Sequence, residues 1–328
     1  MKMMFNKLLR ERKELTVRYD TSTMALWVYM KPKDCPCLNL NILSEYHEVQ
    51  QELIDYFHQN DMNPEIPVKF LILASQTPEI YGYGGNILEI IETVKNRDRK
   101  KIEQCAEVAI KGMYNHVINL NLPIHTVTLV EGVAVAGGLE KILSFNAVIA
   151  EEQSIFGLQQ MRFNFFPGSA IYSLLARKVG MRKADEIIVG MKIYSADEME
   201  DLGVVTQVAK KGEGKKVVDR YLRKYLKNFN GLQALHAAKM RYRPFEFQEM
   251  EDMAKIWVDS LMNLNEKDIK MMEVVAEKQK DSIFNIPHLL RAKQDRRINL
   301  DVEFPLRDMD GKTIEKDRRH RPDPRNND

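Results

Sequence analysis

Gly132-Val-Ala-Val-Ala-Gly-Gly-Leu-Glu140 runs directly off His125-Thr-Val-Thr-Leu-Val-Glu131, and the reading of the chain turns on this join. The upstream segment is a short, nearly continuous apolar run rich in β-branched residues, as a buried strand requires. Gly137 and Gly138 then permit close backbone approach, and a helix opens with Glu140 in its first turn. Unpaired N–H groups at a helix start point outward and favour negative charge. Close helix–strand packing would use the same two glycines equally well, so a second feature is needed to assign chemistry.

Tyr81-Gly-Tyr-Gly-Gly-Asn86 supplies it. It follows another apolar strand, Val68-Lys-Phe-Leu-Ile-Leu-Ala74, and also precedes a helical pattern. Two glycine turns after two parallel-type strands can each aim one N–H at a single oxygen. Around them strands and helices alternate. Arg18 to Met30 reads as a hairpin turning at Asp20-Thr-Ser-Thr23, Leu40 to Phe57 as a helix, and Asp98 to Asn119 as a long helix. Ala147-Val-Ile-Ala150 is a short buried strand, and Ser195 with Glu198 forms a capping box. The fold class is α/β, with parallel strands joined by helical crossovers. Beyond residue 230 the pattern is purely helical: Leu232 to Arg241, Phe247 to Leu264 and Lys267 to Lys280.

Of the 328 residues, 44% are hydrophobic and 29% charged, an ordinary globular composition. A net charge of +2 argues against a dedicated nucleic-acid binder, and no apolar run is long enough to span a membrane. Three cysteines, an odd number, point to reduced thiols and a cytoplasmic location. Cys35 and Cys37 flank a proline with no His/Cys cluster around them, so no metal is expected.

Phe156-Gly-Leu-Gln-Gln-Met-Arg-Phe-Asn-Phe-Phe-Pro-Gly168, leading into Ala170-Ile-Tyr-Ser-Leu-Leu-Ala-Arg177, completes a set of separated motifs. With both glycine turns and Ser195-Ala-Asp-Glu-Met-Glu-Asp-Leu-Gly-Val-Val205, the chain resembles the crotonase (enoyl-CoA hydratase/isomerase) superfamily from about residue 13 to 280. Phe163-Asn-Phe-Phe-Pro-Gly168, Leu26-Trp-Val-Tyr-Met30 with Cys35-Pro-Cys37, and Ile256-Trp-Val-Asp259 make it most similar to the synthases of diffusible cis-2-unsaturated fatty acid signals.

The resemblance implies a spiral core of strand–strand–helix units over 13–230, after an N-terminal extension at 1–12. A helical region at 231–282 would pack over the site and join subunits into trimers or hexamers; 283–328 would be a polar tail. Backbone amides of Tyr83 and Gly137 would hold a thioester oxygen, with Gly84, Gly85 and Gly138 beside them. Met161, Phe163, Phe165, Phe166, Pro167, Gly168 and Trp257 would line the acyl pocket. The substrate would be a fatty acyl thioester on coenzyme A or the phosphopantetheine of acyl carrier protein, with no cofactor and no metal. Glu140 aligns with the first of two glutamates that hydratases use.

The second glutamate is replaced by Gln160. A carboxylate accepts and returns a proton near neutral pH, whereas an amide only exchanges hydrogen bonds. Glu131, Glu151 and Glu152 are the carboxylates that could substitute, against their reading as solvated charges at strand ends. The basic stretches Lys95 to Lys101, Arg177-Lys178 and Arg182-Lys183 could meet phosphates or an acidic carrier, or simply face solvent. Three functions follow. The first is dehydration of a 3-hydroxyacyl thioester to a cis-2-enoyl product, with or without release of the acid. The second is a one-carboxylate isomerase, decarboxylase or thioesterase, and the third a non-catalytic binder of acyl thioesters or of a partner protein.

Overall fold

The computed structural model describes residues 2–33 and 35–282, together with the backbone of 306–307 and 313–314. Two compact units divide at residue 280, and the first holds both glycine turns, Glu140 and Gln160. In the second, Leu306–Arg307 pairs antiparallel with Thr313–Ile314; the expected polar tail otherwise lies outside the described residues.

The first unit opens with α1 (Lys2–Leu8) and a hairpin of β1 (Leu15–Asp20) and β2 (Ala25–Met30). Asp20 closes that hairpin by accepting from Ser22 N at 2.8 Å and the Thr23 hydroxyl at 2.6 Å. After α2 (Leu40–His58), the chain repeats a strand–strand–helix unit. The first repeat is β3 (Phe70–Ser75), β4 (Ile80–Gly82), α3 (Ile87–Lys95) and α4 (Arg99–Val117). The second is β5 (His125–Val130), β6 (Val133–Val135) and α5 (Gly137–Leu143). The third is β7 (Ala147–Glu151), β8 (Ile155–Gly157), α6 (Ile171–Val179) and α7 (Met181–Gly190).

Each repeat gives one strand to each of two sheets. The larger sheet runs β1-β2-β3-β5-β7-β10, where β10 is Gln207–Ala209 and follows α8 (Ala196–Asp201). The smaller runs β4-β6-β8-β9, with β9 at Ile193–Ser195. Consecutive repeats thus climb one strand at a time along both sheets, which is the expected spiral. Parallel pairing puts Val127 beside Ala147 and Val133 beside Ile155, so the strand ends that lead into helices lie at one edge. β5 is buried at every residue, the consequence of covering on both faces. The capping box at Ser195 and Glu198 is present as read.

Helices α9 (Gly214–Lys227), α10 (Phe229–Tyr242), α11 (Phe247–Met262) and α12 (Glu266–Ser282) complete the chain's helical end. The short strands β4, β6, β8 and β9 escape a periodicity reading because three residues carry no pattern. Residues 2–12, expected as an extension, are docked: Phe5 and Leu8 enter the core. Arg12 lies 2.6 Å from Glu52 on α2, its side chain 2% exposed, and donates to the Leu8 carbonyl at 2.9 Å.

Removing one member of a buried ion pair strands the other. Glu52→Ala should therefore cost about 3 kcal/mol in urea unfolding. Glu107→Ala, which breaks an exposed pair with Lys111, should cost less than about 0.5 kcal/mol.

Candidate active site

Gly84 and Gly137 bring the two glycine turns into contact. A Cβ on Gly84 (φ +86°) would lie 2.5 Å from Gly137 N, and one on Gly138 would lie 2.2 Å from Gly82 O. No side chain fits either interface. Ala136 takes φ 48° between β6 and α5, and its N–H donates to Gly157 O at 2.8 Å, fixing where the helix begins. Glu140 follows one turn later, its N–H on Ala136 O at 3.0 Å.

The amide assignment needs correcting at one residue. Tyr83 N–H donates to Pro36 O at 3.0 Å and is spent. Gly85 N, 3.6 Å from the position of a Cβ on Gly137, has no protein acceptor among the described residues, and neither has Gly137 N. Gly85 and Gly137 thus give one unengaged amide from each turn, both on residues that line the same cavity. Leu38 N–H also donates to Gly84 O at 2.6 Å, so the Cys35-Pro36-Cys37 segment clamps the first turn. Those two cysteines form a disulfide and Cys105 alone is free, which overturns the expectation of three reduced thiols. The odd count left two cysteines able to pair locally.

Glu140 is 3% exposed, and burial pushes its carboxyl up to about 8 against the pull of Ser169 and the Gly168 amide. Gln160 Nε2 donates to Glu140 Oε1 at 2.7 Å, while Gln160 Oε1 is buried with no partner. Both residues line a cavity of about 270 Å³ together with Tyr83, Gly85, Gly137, Phe163, Phe165, Gly168 and Trp257. Trp257 lies against Gly168, where a Cβ would meet its ring at 2.9 Å.

Other expected lining residues stand elsewhere. Met161 is 37% exposed because the tight turn Gln160–Phe163 points it outward while Gln160 points in. Phe166 packs on the core and Pro167 is buried, both away from the cavity wall. Gly84 and Gly138 serve as turn-packing positions, not as lining. Glu151 caps α9 by accepting from Gly214 N at 2.9 Å, and Glu152 accepts from Lys211 N. Glu131 is half-buried, with Lys215 acting on it. None of the three lines the cavity; of the two carboxylates that do, Glu89 is exposed and Glu140 is buried.

Sequence reasoning missed Ser169, and also Lys141, which lines the same cavity. Ser169 and Ala170 both take positive φ, 54° and 58°, a conformation with no compositional signature. Lys141 did carry a signal: beside Glu140 it is the second ionisable residue among Leu139, Ile142 and Leu143, in a helix buried from Gly138 onward.

The fold and this site define a spiral scaffold whose cavity is lined by a buried carboxyl and by residues with unengaged amides. Residues 39–282, more than half of the chain, match the enoyl-CoA hydratase/isomerase family. The chain belongs to that family. It is 25% identical over 148 residues to the mitochondrial methylglutaconyl-CoA hydratase of Mus musculus, covering 44% of each chain. It is 24% identical over 197 residues to the enoyl-CoA isomerase/hydratase fer4 of Mycosarcoma maydis, covering 58% of this chain and 68% of that one. The chain therefore spans less than half the length of the hydratase it matches. Among solved structures, an enoyl-CoA hydratase from Bacillus halodurans superposes with a TM-score of 0.67 at 15% identity, over 79% of this chain and 98% of that one. DspI of Pseudomonas aeruginosa gives 0.56 at 16%, over 71% and 89%. Those likenesses establish the fold.

Between about pH 4.5 and about 8 the unfolded chain releases the Glu140 proton while the fold retains it. Stability contributed by this group is therefore lost as pH rises through that window. Glu140→Gln removes the loss. Its melting temperature should exceed that of the wild type by little near pH ~5 and by most above about 8. A gap that stays constant across thermal melts in this range contradicts a raised carboxyl.

Proposed function

We propose that this protein acts on acyl thioesters, with Glu140 as the proton carrier and the amides of Gly85 and Gly137 receiving the thioester oxygen. The observation that carries the reading is their convergence on one largely apolar cavity, where a buried acid of raised pKa faces donors that the fold leaves unused. Preorganised donors of this kind stabilise an enolate because they need no reorganisation as charge develops.

The reaction we favour is loss of water from a 3-hydroxyacyl thioester on coenzyme A or acyl carrier protein. Ionised Glu140 takes the Cα proton, and the electron pair moves onto the thioester oxygen between the amides. The enolate then re-forms the carbonyl as the Cα–Cβ double bond forms and the Cβ–O bond breaks. The departing hydroxide takes its proton from Glu140, so water leaves and the carboxylate is restored. One carboxyl serves both steps when both breaking bonds lie on its face, and Gln160 then needs to move no proton. Its Nε2 holds Glu140, and its Oε1, buried with no partner, keeps an acceptor site free. Resemblance adds a cis-2-enoyl product, and with it the synthesis of a signal fatty acid.

A second reading rests on the same substitution. With an amide at position 160, Glu140 alone can shift a proton between the α and γ carbons and move a double bond, as an isomerase does.

The test is turnover of 3-hydroxyacyl-, 2-enoyl- and 3-enoyl-CoA and of the acyl carrier protein forms, with product geometry read by NMR. Interconversion of the first two supports dehydration; conversion of the third supports isomerisation. Glu140→Gln should lower either rate by about a thousandfold, and an unimpaired variant would remove the assignment. Gln160→Glu places a second carboxyl against Glu140 and should raise dehydration about tenfold or more.

A further inference from the structure

Lys141 is the unexplained group in this cavity. It is 2% exposed, one residue beyond Glu140, and shares a cavity wall with Leu43, Ile102, Ala106 and Met113. Its Nζ lies 4.7 Å from the centre of the Tyr46 ring. Among the described residues, no carboxylate comes within ion-pair distance of it and no acceptor takes its protons. Burial alone lowers its ammonium to about 8, with no anion raising it.

The neighbouring groups cannot neutralise it. Ser144 donates to the Lys141 carbonyl at 2.7 Å, so its oxygen accepts from His116 Nδ1 at 2.9 Å. His116 Nε2, left as the acceptor, accepts a hydrogen bond from the Tyr46 hydroxyl at 2.7 Å. That chain fixes His116 as neutral, and burial together with Lys141 holds its pKa well below the ordinary value. Burial likewise holds Tyr46 as a phenol. The network is self-satisfied and offers Lys141 no negative charge.

An isolated ammonium in such surroundings is unfavourable. The face of the Tyr46 ring offsets only part of that. A methionine or leucine would occupy the position at no such cost, as Leu139 and Ile142 do on the same helix. The imbalance closes if the counter-charge arrives with the ligand. The diphosphate of a coenzyme A arm needs a wet, open place, and the exposed Lys101 and Arg162 lie on the same cavity for that. A nearly sealed lysine among core side chains instead meets the acyl end.

Resting on the acyl-thioester reading above, we propose that Lys141 anchors a carboxylate on the acyl group, so that the preferred substrates are thioesters of dicarboxylic or otherwise acidic acyl chains. The apolar wall takes the methylene chain and the ammonium takes its charged end.

Two non-reacting thioesters of equal chain length decide the matter: glutaryl-CoA and pentanoyl-CoA, titrated by calorimetry against the full chain. Wild type should bind glutaryl-CoA at least about tenfold more tightly. Lys141→Met should lose that preference while still binding pentanoyl-CoA, which also reports an intact cavity; Lys141→Gln is the second variant should the first fail to fold. Equal or weaker binding of glutaryl-CoA by wild type overturns the proposal, as does a preference that survives both substitutions. If wild type binds neither thioester, the acyl-thioester reading itself falls.

Discussion

Everything at the site depends on backbone meeting backbone between two glycine turns. Tyr81–Gly85 and Gly137–Gly138 approach so closely that a single methyl at Gly84 or Gly138 would collide with main-chain atoms of the other turn. This contact aligns β4 with β6, and it sets where α5 starts and hence where Glu140 stands. It also leaves two amides without acceptors at one point, because turns this close have no room for a carbonyl between them. The donors are therefore a by-product of packing, held rigid by the same sheets that build the core.

The second constraint is the cost of burying charge. Glu140 and Lys141 are adjacent, nearly sealed, and both shifted to about 8 in opposite directions from their ordinary values. Neither shift has the other as its cause; each arises from loss of water. Such groups stay close to the balance between charged and neutral forms near physiological pH, and a modest change in surroundings tips them. A ligand that expels the remaining water and brings a polar atom is such a change. Gln160 adds a fixed donor on one side of Glu140, so the carboxyl is oriented before any ligand arrives.

Much of this was legible in the sequence, for definable reasons. Long periodic segments gave α2, α4, α11 and α12 within one to three residues, and the capping box at Ser195 is local chemistry that needs no tertiary context. The pair Glu140 and Gln160 followed from motif spacing, and the structure joins them by a hydrogen bond. Which amide of the first turn faces inward was not legible. That depends on Pro36, some fifty residues away, whose carbonyl engages Tyr83 and leaves Gly85 free. Met161 was not legible as outward because a tight 3-10 turn swings each side chain about a third of a turn from the one before it. Lys141 was not legible because charges are read as solvated by default, although a lysine beside Glu140 in a run of buried apolar residues contradicts that default.

The basic residues show why a charged stretch is a poor guide to ligands. Arg99 pairs with Asp259 of α11 at 2.7 Å, Arg97 donates to Met262 O at 2.8 Å, and Lys95 pairs with Glu273 of α12. Arg177 grips Glu249 with two bonds of 2.7 and 2.8 Å. These ties carry the C-terminal helices onto the spiral, and with them Trp257, Leu261, Met272 and Val275, which form the outer wall of the cavity. Exposed ion pairs contribute little singly, so the wall's position rests on the apolar contacts beneath them. The decisive one is Trp257 on Gly168, where the absence of a side chain lets an indole ring close over the segment that faces Glu140. Trp257 thus closes against one glycine, while the contact of Gly84 with Gly137 and of Gly138 with Gly82 fixes where the helix carrying Glu140 and Lys141 begins.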